Sequence, residues 1–216
     1  MAQSFGGKVL NMYLPKQFDA KDDKRILEII EAYPFATVMS FDETKQPFFN
    51  HIPLVTKKTA SGFSFLGHVA KGNPQWKHFK RNPKVKVIIN GPHTYITPKW
   101  YSLGRDVPTW NYAAIHIDGS TKLIDDFNGL VGILKTLTEK FESGTTNPWA
   151  FELPEDLLAP ETLCSAIVGF EISVEKIDAK FKLSQNRTDT DKFSVIEGLA
   201  NRDDDMSKAV LQLMKN

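Results

Sequence analysis

The segment FLGHVAKGNPQW (residues 65–76) combines residue types that suit an anion site. A strand is predicted to enter a loop holding two glycines, His68 and Lys71, and a helix is predicted to begin near Asn73-Pro74. Asn is a good N-cap, and Pro is favoured at the first helical position. Helix-start N–H groups attract anions, and glycines let a ligand approach the backbone closely. The segment fits a phosphate, although an ordinary strand-to-helix turn with an exposed Lys71 explains the same residues.

A second group of polar residues interrupts the apolar segment FFNHIPLV (residues 48–55). Strand alternation puts Asn50 and His51 on opposite faces, so one of them must point inward or into a groove. A buried polar group there needs a partner. The alternative is an edge-strand histidine bonded to a backbone carbonyl, and Pro53 favours such an edge because it lacks an N–H.

Bulky side chains are contiguous at the start of the strand predicted in VPTWNYAAIHI (residues 107–117). Trp110 and Tyr112 offer large flat surfaces with one polar tip, and Asn111 lies between them. These residues suit either a planar ligand or a subunit interface, and both hold if a ligand lies between subunits.

The segment KFKLSQNR (residues 180–187) alternates lysines with apolar residues and ends in four polar residues. The fork of Arg187 suits phosphate or carboxylate. A solvated strand end followed by a turn explains the same pattern.

Several chemistries have no signature in the sequence. The five histidines lack HExxH or HxxxH spacing, so no metal ligands are predicted. No GxSxG, GxGxxG or GxxxxGK[ST] motif is present, which argues against a serine hydrolase, a Rossmann site and a P-loop. Cys164 lies in an apolar segment and is interpreted as a core residue. No catalytic residue is assigned, and the tail helices do not form a convincing helix-turn-helix.

A helix followed by strands must position these groups. A helix is predicted over residues 19–33, with Ile26, Ile29, Ile30 and Tyr33 on one face and Pro34 ending it. FATVMSF and FFNHIPLV are predicted to form a hairpin around DETKQP, and GFSFLGHV follows a KKTASG turn.

The chain then continues with a short helix, further strands and a helical second half. KVKVIIN and HTYITPKWY are predicted as two strands around a Gly91-Pro92 turn, followed by a long strand or bent pair in WNYAAIHIDGSTKLI. Six strands after a lone helix predict a closed or half-closed antiparallel barrel. A helix is predicted over residues 125–142, with Leu130, Ile133, Leu134, Leu137 and Phe141 on one face. AIVGFEISVEKIDAKFKL predicts a seventh strand that completes the barrel, and two short helices end the chain.

The predicted fold class is mainly β with helices (α+β), and the predicted organisation is a single domain. Residues 1–11 are interpreted as a flexible arm, and residues 12–216 as one barrel domain with C-terminal helices. The chain has 216 residues, with 27 Lys and Arg against 26 Asp and Glu. This balance argues against nucleic-acid binding by charge alone. One cysteine and no secretory signal favour the cytoplasm, and no membrane span is predicted.

The motifs, taken together and in order, resemble the PaiB family, which is described as FMN-binding negative transcriptional regulators of bacteria. They are MYLPKQF at 12–18, PFATV at 34–38, NHIPL at 50–54, GHVAKGNPQW at 67–76, GPHTYITPKWY at 91–101, VPTWNYAAIH at 107–116, IVGFEI at 167–172 and KLSQNR at 182–187. The resemblance implies the flavin-binding split β-barrel, and a homodimer with FMN at the subunit interface.

The resemblance also implies roles for particular residues. The segment at 67–76 resembles the FMN phosphate cradle, the strand at 50–53 the edge that faces the isoalloxazine ring, and Trp110, Asn111 and Tyr112 would approach from the partner subunit. The last polar motif is placed near the same site. The implied cofactor-binding residues are Asn50, His51, Ile52, Pro53, Gly67, His68, Val69, Lys71, Asn73, Trp110, Asn111, Tyr112, Lys182, Gln185, Asn186 and Arg187.

Three functions remain open from the sequence. The first is an FMN-binding repressor, for which contact with DNA is implied by the resemblance only. The second is an FMN-dependent oxidoreductase or flavin reductase, in which the flavin would carry the chemistry. The third is a non-catalytic binder of another planar anion such as haem.

Overall fold

The computed structural model describes residues 12–60, 62–102, 106–152 and 165–215. In these residues the α+β fold contains seven strands and five α-helices. The strands are β1 (Phe35–Phe41), β2 (Pro47–Pro53), β3 (Val55–Thr59), β4 (Gly62–Ala70), β5 (Lys84–Ile96), β6 (Thr109–Ile124) and β7 (Ile167–Lys182). The helices are α1 (Asp23–Ala32), α2 (Gln75–Arg81), α3 (Phe127–Glu142), α4 (Asp189–Ala200) and α5 (Asp205–Lys215). Short 3-10 helices span Lys16–Phe18 and Pro98–Trp100.

The strands form one sheet in the order β2-β1-β5-β6-β7-β4-β3. Its described ladders are antiparallel. Phe35 lies opposite Pro53 in the β1–β2 hairpin, Val55 lies opposite Leu66 between β3 and β4, and Gly67 lies opposite Phe170 between β4 and β7. The fold is a split β-barrel with a helical C-terminal extension, as the sequence predicted.

The chain divides into two compact units. The first comprises residues up to 29 together with 90–116 and 178 onward, and the second comprises 30–89 and 117–177. Both contain fully buried apolar side chains. Those of the first unit include Ile96, Ile115, Val195, Leu199 and Val210. Those of the second include Val38, Phe65, Val87, Phe170 and Ile172. The prediction of one domain after an N-terminal arm stays a prediction.

The helices that the sequence predicted form where the apolar period and the caps agree. Asp22 Oδ1 accepts hydrogen bonds from the N–H groups of Lys24 and Arg25, which caps the start of α1. Asp126 Oδ1 accepts from Gly129 N at 2.9 Å and caps α3. Leu130, Ile133 and Leu137 of α3 are buried as predicted, but Phe141, in the last turn, is 42% exposed.

The hairpin prediction is confirmed, but the segment after it was assigned wrongly. FFNHIPLV is not one strand: β2 ends at Pro53, and β3 begins at Val55 and runs through three residues of the predicted KKTASG turn. The chain changes partners here, because Pro53 still pairs with β1 whereas Val55 pairs with β4. Leu54 lies between them and donates its N–H to the carbonyl of Pro34 at 2.9 Å.

The Gly91-Pro92 turn was also wrong, because β5 runs straight through it. The ladder described between β5 and β1 covers residues 86–88, so Pro92, which has no N–H to donate, lies beyond that ladder. A Cβ on Gly91 would lie 3.0 Å from Ala113 Cβ. The glycine therefore serves close packing and not a turn.

Among the described helices, none has the length and apolar character needed to cross a membrane. The predicted N-terminal arm and Cys164 lie outside the described residues.

Candidate functional site

Asn50 and His51 lie on opposite faces of β2, as alternation predicted, and have different surroundings. Asn50 is half-buried, and its Nδ2 donates to Oε1 of Gln75 at 2.9 Å. His51 is exposed, and its Nδ1 is hydrogen-bonded to Thr37 Oγ1 at 3.0 Å. Asn50 is therefore the member of the pair that points inward.

Ile52 and Pro53 complete the strand segment assigned to the ring edge. Ile52 is buried and Pro53 is half-buried. Pro53 has no N–H to donate. It lies at the end of an edge strand of the sheet, where a missing donor is tolerated.

Gln75 is fully buried, and the sequence analysis did not identify it. Its Nε2 donates to the carbonyl of Val38 at 2.9 Å and to Ser40 Oγ at 3.3 Å. Ser40 Oγ is in turn hydrogen-bonded to His78 Nδ1 at 3.2 Å. Helical spacing could have found this residue, since Gln75, His78 and Phe79 share one face of α2 and all three are buried.

The end of β4 is closely packed, whereas the loop that joins it to α2 is open. A Cβ on Gly67 would lie 2.8 Å from side-chain atoms of Leu54 and Phe170, so Gly67 is required by the core. Gly72 has open space where its Cβ would be. Between them Val69 is buried. Backbone access for a ligand is therefore at Gly72.

Lys71 is held beside the start of α2. Its ammonium nitrogen lies 4.8 Å from the ring centroid of Trp76, whose Nε1 donates to the carbonyl of Lys71 at 2.9 Å. Asn73 Oδ1 accepts from Gln75 N at 3.0 Å, which confirms its capping role. Because that amide is already occupied, an anion here would depend chiefly on the charge of Lys71.

His68 has a buried Nδ1 with no hydrogen-bond partner among the described residues. It lies opposite Gly169 in the β4–β7 ladder, and a Cβ on Gly169 would meet Ile133 and Leu130 of α3. Paired residues of a ladder project to the same face, so His68 is on the apolar α3 side. Burial there lowers the pKa of His68. The hydrogen-bonding capacity of this buried nitrogen is therefore unused among the described residues.

The aromatic segment of β6 is split between exposed and buried positions. Trp110 is 51% exposed, and its ring centroid is 6.1 Å from that of Tyr95 and 6.2 Å from that of His93. Tyr112 is half-buried, with the ammonium of Lys180 5.6 Å from its ring centroid. These rings form an aromatic surface on the outer side of β5 and β6.

Asn111, between the two aromatic residues, is fully buried. Its Nδ2 donates to Ser184 Oγ at 3.0 Å. Ser184 has φ +63°, a left-handed conformation that is uncommon for a side chain other than Gly, Asn or Asp. Asn111 therefore holds the turn after β7 in place.

The polar motif after β7 is engaged largely in internal contacts. Lys182 Nζ donates to Thr109 Oγ1 at 2.6 Å and to the carbonyl of Trp110 at 2.7 Å. Burial, followed by the charges of Arg187 and Lys180, lowers the pKa of Lys182. Such a group gains from a nearby anion.

The remaining residues of this motif shape the turn. Gln185 Oε1 accepts from Leu183 N at 2.6 Å, and its Nε2 donates to the carbonyl of Phe181 at 2.5 Å. Arg187 Nη1 donates to Asp106 Oδ1 at 2.6 Å. Asn186 is exposed.

The predicted site residues thus fall into two sets, one in each compact unit. Residues 50–53 and 67–73 belong to the second unit, and residues 110–112 and 182–187 belong to the first. The first set offers Lys71, the unpartnered His68 nitrogen and the Asn50 amide. The second offers an aromatic surface and clustered cations. The first set suits an anionic group, and the second suits a planar one.

The fold defines a split-barrel protein, and one of its units carries groups suited to an anion. The chain belongs to the PaiB family: residues 12–176 match the family described as "Putative FMN-binding domain". FMN, the cofactor expected from the sequence, is the one that this description names.

Two curated relatives and one solved structure illustrate the range of similarity. The chain is 38% identical over 208 residues to "Protease synthase and sporulation protein PAI 2" of Bacillus subtilis (strain 168), covering 95% of this chain and 97% of the relative. It is 29% identical over 198 residues to "Uncharacterized protein AN0679" of Emericella nidulans, covering 78% and 79% of the two chains. The FAD and heme binding protein from Mycobacterium smegmatis superposes with a TM-score of 0.58 at 14% identity, covering 76% of this chain and 73% of that one. That last likeness concerns the fold.

Proposed function

We propose that this chain is an FMN-binding regulatory protein that acts as a homodimer. Membership of a family described by FMN binding supports the cofactor. The observation that carries the proposal is the loop at Lys71 and Gly72, which combines a cation with open space beside the backbone. FMN has a phosphate, and such a loop suits it.

The phosphate half of the site is assigned to the loop between β4 and α2. Lys71 supplies the charge, His68 supplies an unpartnered ring nitrogen, and the open side of Gly72 leaves room for a ligand. The ring half is assigned to Asn50 and to the exposed aromatic surface, with Trp110 and Tyr112 supplied by the partner subunit, as the family resemblance implies.

Bound FMN would supply redox chemistry, and the protein would supply binding and orientation. The regulatory role, as a cytoplasmic repressor of transcription, is supported by the resemblance to PaiB-type negative regulators. The name of the Bacillus subtilis relative, which refers to protease synthase and sporulation, is also consistent with it.

A visible absorbance spectrum before and after loading with FMN and desalting tests the cofactor. We expect retained flavin at about one molecule per subunit, in a particle with the mass of a dimer. Protein that retains no flavin from an excess would overturn the proposal. Haem added in the same assay tests the other planar ligand, and a Soret shift with no flavin retention would favour haem.

Two further assays test what the loaded protein does. We expect specific DNA binding whose affinity falls steeply with salt concentration, because phosphate contacts release counterions. Steady turnover of NADH or NADPH by the FMN-loaded protein, together with no DNA binding, would instead identify an oxidoreductase.

A further inference from the structure

A buried chain of hydrogen bonds fixes the orientation of two side-chain amides. The carbonyl oxygen of Val38 can only accept, so the atom of Gln75 that approaches it at 2.9 Å must be the NH2 group. The same group faces Ser40 Oγ at 3.3 Å. Both donors of Gln75 are therefore engaged, and its Oε1 must face the other way.

The orientation of the Gln75 amide in turn fixes the orientation of the Asn50 amide. Oε1 of Gln75 can only accept, so the atom of Asn50 that lies 2.9 Å from it is the donor Nδ2. The two polar atoms of an amide diverge from one carbon. Oδ1 of Asn50 is consequently presented away from Gln75, and among the described residues it accepts no hydrogen bond from another side chain or from the backbone.

We propose that Gln75 is a positioning residue that makes Asn50 present an acceptor, and not a donor, to the flavin ring. The inference rests on the proposed function, since it assigns the partner of Oδ1 as the N–H of the pyrimidine half of FMN. Oxidised flavin has one ring N–H, at N3, and its other polar ring atoms accept.

The arrangement determines specificity because an amide that could rotate would tolerate either polarity. Gln75 is fully buried and its two donors are engaged, so rotation of the Asn50 amide would place its Oδ1 against Oε1 of Gln75, two acceptors with no proton between them. A ligand with an acceptor or an alkyl group at the N3 position leaves Oδ1 unpartnered.

The test compares the affinities of FMN and N3-methyl-FMN for the full-length protein. We expect the wild type to prefer FMN by about tenfold or more, the effect of one unmade hydrogen bond. Gln75→Met keeps the length of the side chain and removes the orienting groups. It should reduce this preference several-fold, while the preference for FMN over riboflavin, which reports on the phosphate, stays constant.

Three other variants keep the test decisive. Asn50→Ala is at a half-buried strand position and removes Oδ1, so it should reduce the preference as far as, or further than, Gln75→Met. In the Gln75→Met background, Asn50→Asp should restore the preference because a carboxylate accepts from either oxygen. Gln46→Met, at an exposed position of the β1–β2 turn, is the control and should match the wild type.

The outcomes separate the two proposals. FMN binding with a preference that neither Asn50→Ala nor Gln75→Met alters would overturn the positioning role and leave the proposed function intact. A wild type that does not bind FMN would overturn both.

Discussion

Asn111 and Ser184 exchange hydrogen bonds across 73 residues of sequence. Nδ2 of Asn111 donates to Ser184 Oγ at 3.0 Å. The Ser184 hydroxyl donates in return to Asn111 Oδ1 at 3.2 Å. Ser184 is buried at φ +63°, where the backbone is strained for serine. The pair therefore couples β6 to the turn that carries Gln185, Asn186 and Arg187.

Replacing Asn111 should destabilise the fold. Asn111→Ala leaves a buried hydroxyl unpartnered in a strained turn and opens a small cavity, so we expect a loss of about 2–3 kcal/mol in the free energy of unfolding. Urea denaturation measures this. Asn186→Ala, at an exposed position of the same turn, is the control and should stay within about 0.5 kcal/mol of wild type. Equal effects of the two substitutions would contradict the role assigned to Asn111.

Gly67 in β4 and Gly72 in the loop that follows it should respond oppositely to alanine. Gly67→Ala places a Cβ 2.8 Å from Leu54 and Phe170, so overpacking should cost about 1–3 kcal/mol. Gly72→Ala meets open space and should be neutral or stabilise by up to about 1 kcal/mol through the unfolded state. Thermal unfolding of the two variants measures both changes in stability. Destabilisation by both substitutions would contradict the prediction.

Lys71 should affect the phosphate end of the ligand only. We expect Lys71→Ala to weaken FMN binding by about tenfold and to leave riboflavin binding nearly unchanged, because riboflavin lacks the phosphate. Lys77→Ala, which removes the other lysine beside Trp76, serves as the matched control. Fluorescence titration measures both affinities, and an equal loss for FMN and riboflavin would assign Lys71 a structural role.

The carboxylate of Asp191 should account for part of the stability that the first unit loses at low pH. The backbone and side chain of Ser102, followed by Thr188, donate hydrogen bonds that lower the pKa of Asp191. The stabilisation is fully present above the pKa of the unfolded state, about 3.9, and is lost as pH falls through the depressed folded value.

Wild type should therefore exceed Asp191→Asn in unfolding free energy near neutral pH, and the difference should shrink as pH falls below about 4. Denaturant titrations at a series of pH values measure the difference. A gap that does not change with pH would show that the Asp191 carboxylate contributes through packing and not through its charge.

Local patterns in the sequence determined most of the secondary structure. The apolar spacing of Ile26, Ile29 and Ile30 predicted α1, and the turn DETKQP predicted the β1–β2 hairpin. The number of strands agreed only because two errors cancelled: β2 and β3 were merged, and β5 was divided. The first error arose after Pro53, where the chain changes strand partners without a local turn signal. The second arose at Gly91-Pro92, where the strand continues through a local turn signal.

The sequence also determined which segments contain the polar and aromatic groups of the candidate site, because polar residues interrupt apolar strand segments there and bulky aromatic residues stand close together. Only the tertiary structure decided what each side chain does. Asn50 and Gln75 are 25 residues apart, and Asn111 and Ser184 are 73 apart, so no local spacing reveals that they pair. Burial of a polar atom requires a partner, and that partner is chosen by the packing of strands and helices distant in sequence.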